Sequence, residues 1–355
     1  MSPKSLIAST IIVTCLMSIA TSAMAEERFS VDAWGQSFKT AVKANDSKNL
    51  VSLLDMKVLE KTALACLDCS NKEKLEKARE LFAKKQFDAS LALYNQIPKG
   101  TDYWFQAVEE KGWNYYRQND SEKAIAQSKT LLSPQFAEVV NPESYFLQSL
   151  SQLKICDYKG IFATNQMFKE KQRARIIDVQ NLTKTGMNNA FSNVIAKTNL
   201  LPLQAKDLGD SFLHLPILYY KDMTLQSELL RYKVTQKALE ILKSENSTMV
   251  KLQGSLERMN QDAMSKLKAR MAMLAQQETE DTKKIVQKLN LVEVEAIQRM
   301  HADMALNDAA YKKGKFKETN DDQLVFMDDG RPWIDELDKF EVSAKACPQD
   351  IRRKM

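Results

Sequence analysis

Apolar residues recur three and four positions apart in successive segments of this chain, the spacing that gathers them on one face of an α-helix. Ala33, Phe38 and Val42, followed by Leu50, Leu53, Leu54, Val58 and Leu59, predict one or two helices over residues 26–65. A further helical stretch from Asn71 is broken by Pro98-Lys99-Gly100, and another runs from Asp102 to about Ser133-Pro134. Residues 170–222 contain Pro202 and Pro216 among apolar clusters such as Phe212, Leu213, Leu215, Ile217 and Leu218, and predict shorter helices. From Thr224 to about Lys317 there is no proline, and Met249, Leu252, Leu256, Met259, Ala263, Met264, Leu267, Met271 and Leu274 trace one long seam. Ile285, Leu289, Val292 and Ala296 continue it, with Glu278 as an interruption. This predicts long amphipathic helices, in the manner of an antiparallel coiled-coil hairpin, with breaks expected at Ser244–Ser247 or Gln277–Asp281. From Glu318 onward the chain changes character. Gln323–Phe326 reads as a short strand, Asp328-Asp329-Gly330 as a turn, and Trp333 and Phe340 as residues that tuck against the helices.

Two of these segments match at an offset of about 34 residues, a period that in a strand-poor chain indicates stacked helix–turn–helix units. Ala78 falls on Gly112, Leu81 on Tyr115, Ser90 on Ala124, Tyr94 on Ser128 and Ile97 on Leu131. Asn119-Asp120-Ser121 supplies a turn and cap inside the second unit. A third unit, Pro142 to about Lys169, aligns Ser149 and Ile161 after a slightly longer connection, with Gln152 and Ile161 as poor fits.

These residues resemble the tetratricopeptide repeat family. The small pairs Ala78/Gly112 and Ser90/Ala124, the large pair Leu81/Tyr115 and the bulky Tyr94 follow the family pattern, while Ser128 departs from it. The resemblance covers less than a third of the chain and implies a protein-docking groove lined by the first helix of each repeat. Carried over, it implies Arg79 and Phe82 from the first repeat, and Gln106, Glu109, Trp113, Tyr116 and Arg117 from the second, as groove residues. Exposed Trp, Tyr and Arg are the residue types that dominate binding hot spots. The competing reading packs Trp113 and Tyr116 against helices of the carboxyl-terminal half.

Composition agrees with an all-α fold, since Gly (9) and Pro (8) are scarce in 355 residues. Residues 1–25 read as a secretory signal: Lys4, an apolar run from Leu6 to Ile19, and Ala23-Met24-Ala25 as the cleavage site. The run is too short to span a bilayer, and no later segment is apolar enough to do so. The reading therefore divides the chain into a leader (1–25), a repeat domain (26–170), a long-helix arm (171–318) and a loop-and-strand segment (319–355), with the mature protein periplasmic or secreted. Removing Lys4 from 51 basic residues leaves 50 against 46 acidic ones, about +4. The charges interleave at helical spacing and form no stripe for nucleic acid. Cleavage leaves four cysteines, which allow two disulfides in an oxidising compartment. Cys66–Cys69 and Cys156–Cys347 are expected, the second closing a loop of about 190 residues for roughly 2–5 kcal/mol.

No phosphate loop, nucleophile elbow or zincin pattern is present. His214 and His301 have no metal-ligand company, the acidic residues Asp321, Asp322, Asp328 and Asp329 lack calcium-loop spacing, and no cofactor or metal is expected. The expectation is a non-enzymatic scaffold that joins other envelope proteins or peptides through the groove. Two alternatives accompany it: a thiol oxidoreductase or redox sensor built on Cys66-Leu67-Asp68-Cys69, and a structural protein that self-associates through residues 224–318. The methionine face of that arm (Met249, Met259, Met264, Met271, Met273) reads as core or association seam.

Overall fold

The computed structural model describes residues 28–245 and 249–307, with side chains as far as His301, together with Val342. Among them are twelve α-helices and one two-stranded sheet, an all-α fold. β1 (Phe29–Ser30) leads into α1 (Val31–Lys43), α2 (Ser47–Leu53) and α3 (Met56–Ala63), three helices where the sequence predicts one or two. The next six are α4 (Cys69–Ala83), α5 (Phe87–Tyr94), α6 (Trp104–Arg117), α7 (Ser121–Leu131), α8 (Pro142–Lys154) and α9 (Tyr158–Thr185).

Four of the links between these helices are the same tight corner. Asp46 N–H donates to Ala41 C=O and Asn45 N–H to Val42 C=O. The same two bonds recur from Gln86 to Leu81 and Lys85 to Phe82, from Asp120 to Tyr115 and Asn119 to Tyr116, and from Asp157 to Gln152 and Cys156 to Leu153. This is the paired closure that satisfies the last carbonyls of a helix through a left-handed residue. That residue is Asn45, Lys85, Asn119 or Cys156, with φ between 52° and 64°. At three corners the following aspartate then caps the next helix: Asp46, Asp120 and Asp157. The step from Lys85 to Asn119 equals that from Ala78 to Gly112, and the step from Asn119 to Cys156 is only slightly longer. The third unit therefore keeps the geometry of the first two despite its poor sequence match.

Positions aligned by the offset share one environment. Ala78 and Ser149 on the first helices, and Ser90, Ala124 and Ile161 on the second, are all fully buried. At Gly112 an added Cβ would lie 2.7 Å from the end of the Leu147 side chain, which would have to move aside, so glycine eases the close approach of α8 to α6. The Ser90 hydroxyl donates to Ala78 C=O at 2.8 Å, bonding α5 to α4. Tyr94, Ile97 and Leu75 form the core of the first pair, while Trp104, Val108, Leu131, Tyr145 and Phe168 form that of the next two.

After α9 the chain reverses through α10 (Asn189–Lys197), β2 (Leu200–Leu201), which pairs antiparallel with β1, and three 3-10 turns, into α11 (Met223–Ser244) and α12 (Val250–Asn307). The break falls between α11 and α12, and α12 runs without interruption through Gln277–Asp281, the other expected break. At 1.5 Å per residue its 58 residues reach about 87 Å. Its first half lies antiparallel on α11, where Arg270 pairs with Asp222 and Arg231 with Asp262. Its second half lies antiparallel on α9 and reaches α8. Glu278 sits at the handover, accepting from the buried Arg175 at 2.5 Å and from Ile217 N–H at 2.7 Å. The residue that interrupts the apolar seam thus meets the buried cation of α9.

α12 contributes to three buried apolar clusters. Leu256, Leu267, Met271 and Ala275 join Phe38, Phe191, Leu229 and Val234, Ile285 and Leu289 join the hairpin core, and Val292 and Ala296 pack with Leu153 and Ile161. The expected boundary near residue 170 falls inside α9, and α1 packs on α11. Of the methionine face, Met271 is fully buried, Met249 and Met264 pack on the larger core, and Met273 is 40% exposed. The strand, turn and aromatic anchors expected at Gln323–Phe340, the four acidic residues Asp321, Asp322, Asp328 and Asp329, and Cys347 lie outside the described residues.

Candidate functional site

The first helices of the three hairpins, α4, α6 and α8, stand side by side; of the residues expected to line a groove, Arg79 and Phe82 lie on α4 and the other five on α6, and of these only the Trp113 and Tyr116 rings touch each other. Much of their chemistry is spent joining one hairpin to the next. Arg79 on α4 holds Glu110 on α6 with two bonds of 3.0 Å from Nε, and the Tyr94 hydroxyl donates to the same carboxylate at 2.9 Å. Glu109 accepts from the Ser144 hydroxyl of α8 at 2.6 Å. Trp113 lies between the rings of Tyr116 (5.7 Å) and Phe146 (5.9 Å), the second again on α8. Phe82 meets Phe87 edge-on at 5.6 Å within its own hairpin. Gln106 accepts from Lys221 Nζ at 2.9 Å, so the segment before α11 closes the α6 end of the face.

Tyr116 carries a cation on its ring: Lys154 Nζ stands 3.8 Å from the centroid and also donates to Asn119 Oδ1 at 3.1 Å. Lys288 of α12 stands 5.2 Å over Phe146. The α8 side of the face is therefore occupied by α12, while Tyr116 and Trp113 remain half-buried and Arg117 is exposed at the corner edge. Phe146 and Lys154 belong to this surface but were not among the expected groove residues, because the third repeat reads as degenerate. The recurrence of the corner at Cys156, one repeat beyond Asn119, is the signal that places them.

Burial sets the electrostatics here. Loss of water pushes the Glu109 carboxyl up to about 8, with neighbouring Glu143 and Glu110 adding to the rise and the Ser144 hydroxyl opposing it. Burial also raises Glu143, against the pull of Lys288. Lys221 is lowered to about 8 by burial, with Asp102 opposing, and it sits 4.4 Å over the Tyr103 ring.

Two other clusters carry chemistry. Cys66 and Cys69 are bridged, with Cα atoms 5.5 Å apart, where the chain enters α4. It is the second cysteine, Cys69, that occupies the first turn of the helix. Cys156 is also disulfide-bonded. The sequence places His214 in an apolar setting, but the structure exposes it and joins its Nδ1 to Asp178 at 2.6 Å. The pair stands at the rim of a cleft of about 980 Å³ between α10 and the 3-10 turns. The Ser211 hydroxyl in that cleft donates to Leu208 C=O at 2.5 Å and meets the Tyr219 hydroxyl at 3.1 Å. His301 is exposed on α12. Among the described residues no group of three or more His, Cys, Asp or Glu side chains is arranged to hold a metal, and no helix is long and apolar enough to cross a membrane.

No family model matches the chain, and no curated protein or solved structure matches it.

Proposed function

We propose that this protein is an exported, non-enzymatic scaffold of the tetratricopeptide type, which captures a segment of another envelope protein along the open part of the face formed by α4 and α6. The observation that carries the reading is the patch formed by Tyr116, Trp113 and Arg117, next to a corner geometry repeated at Lys85, Asn119 and Cys156. Half-buried aromatics beside an exposed Arg supply rigid contact area and a charge-assisted donor at little entropic cost. The hairpins are fixed by buried contacts and seam bonds, so the patch is preorganised for capture. Cleavage after Ala25 and delivery to the periplasm belong to the same proposal, as does the absence of a resident cofactor.

A photoreactive residue placed at Arg117 in intact cells tests the proposal. A discrete adduct is expected there, and none from the same residue at Lys57 on α3. Arg117→Glu should abolish capture in binding assays with the recovered partner while leaving the melting temperature within about 2 °C, since the side chain is exposed. Equal adducts at both positions, or turnover of a small substrate by the purified mature protein, would sink the scaffold reading. A thiol-exchange function built on Cys66–Cys69 requires that capture fail in Cys66→Ser; the scaffold expects capture unchanged.

A further inference from the structure

The cleft of about 980 Å³ between α10 and the 3-10 turns is lined by no residue of α4 or α6. Its size is at the upper end of ligand sites, which run from about 300 to 1,000 Å³. The buried Val194, Leu203 and Leu208 give it an apolar floor. Part of its polar lining is spent on holding the walls. Asn188 accepts from Phe191 N–H at 2.8 Å to cap α10, and donates to His214 C=O at 3.1 Å. The Thr198 hydroxyl donates to Val194 C=O, and Asn199 Oδ1 accepts from Asp32 N–H at 2.9 Å.

Charge in the cleft is close to balanced. Asp178 pairs with His214 and Asp207 with Arg28, which leaves Asp210 and Lys197, one of each sign. Such a lining favours a ligand rich in hydrogen-bonding groups and without a large net charge, and disfavours nucleotides and phosphate esters. No Trp, Tyr or Phe lines the cleft among the described residues, so a sugar ring would find no aromatic face to stack on.

What is left for a ligand is a row. Asn189, Asn193 and Lys197 recur every four residues and share one face of α10. Among the described residues no hydrogen bond engages these side chains or that of Asp210. A carboxamide carries a donor and an acceptor side by side, as a peptide unit does. Rungs four residues apart on a helix are separated by about 6.0 Å. Every second residue of an extended peptide repeats at about 6.8 Å, so the two periods nearly match. The nine residues of α10 span about 13.5 Å, the length of about four residues of extended chain.

We propose that this cleft is a second docking site, which takes an extended peptide segment of another protein by its main chain. The Asn189 and Asn193 carboxamides bond alternate peptide units, and the apolar floor receives the side chains that point down between them. Main-chain bonding supplies the affinity in this mode, and the floor selects small apolar residues at alternate positions.

Fluorescence anisotropy of the full mature chain with a labelled hexapeptide, acetyl-Ser-Val-Thr-Val-Thr-Ser-amide, tests the proposal. Saturable binding is expected, weakened at least tenfold in the double variant Asn189→Ala, Asn193→Ala. Both side chains are exposed and Ala is the better helix former, so helicity by circular dichroism should not fall. Two further peptides, N-methylated at the two valines or at the two threonines, keep their side chains and lose the N–H donors of one edge. At least one of them should bind tenfold more weakly. Arg117→Glu should bind the hexapeptide as the wild type does, which keeps this test separate from that of the α4–α6 face. Absence of saturable binding, affinities of wild type and double variant within twofold, or full affinity for both methylated peptides would each overturn the proposal. So would displacement of the peptide by maltotriose at equal concentration, since the cleft would then be a sugar site.

Discussion

Arg175 has the strongest consequence of any single side chain. It is 2% exposed on α9 and donates to Phe212 C=O, Leu215 C=O and Glu278. Removing one partner of a buried pair strands the other charge, so Arg175→Met should destabilise by about 3–5 kcal/mol in urea unfolding. Arg175→Met with Glu278→Leu should recover a large part of that loss. Gly186 closes α9 at φ 61°, and a Cβ there would overlap the Lys268 carbonyl of α12. Gly186→Ala therefore combines left-handed strain with a backbone clash and should cost about 2 kcal/mol or more. Glu109 gives the pH dependence. Its carboxyl titrates at about 8 in the folded chain, above its unfolded value, so the folded state binds the extra proton between them. Its contribution to stability is therefore fully present in acid and is lost as pH rises through 8. Lys221, lowered to about 8, works in the opposite sense, and its penalty fades as pH rises from 8 to its unfolded value. Glu109→Gln should flatten the decline in unfolding free energy between pH 5 and 8; an unchanged slope would assign the decline to other groups.

At the scale of elements, the close crossing of α6 and α8 predicts that Gly112→Leu will cost about 1–3 kcal/mol, because Leu147 and Gln127 already fill the space. The hairpins were the most legible part of the sequence. Small residues at Ala78, Gly112, Ser90 and Ala124 report close backbone approach, which few other residue types allow, and the repeat period survives as corner geometry. The long α12 was legible from its seam and its freedom from proline. What the sequence hid was partnership. Glu278 read as a break because its cation, Arg175, lies 103 residues away. Phe146 and Lys154 were missed because Gln152 and Ile161 blur the third repeat. His214 read as apolar because Asp178, its partner, is 36 residues upstream. Long-range polar pairing leaves no local pattern, whereas helical packing does.

On the scale of the whole molecule, the hairpins and the larger core share one helix, and their stabilities should be linked. Leu289 is buried among α8 and α9, and Leu289→Ala should cost about 2–4 kcal/mol while calorimetry still shows one transition. Two separated transitions would mean that α12 does not couple the halves. This linkage also bears on mechanics. A rod of about 87 Å without a joint passes tension along its axis and cannot absorb it by bending at a hinge. Pulled between Arg28 and Asn307 in optical tweezers, the protein should therefore give way in a single rupture. If the proposed scaffold role holds, a partner pulling on this protein would meet full resistance up to a threshold force and then none.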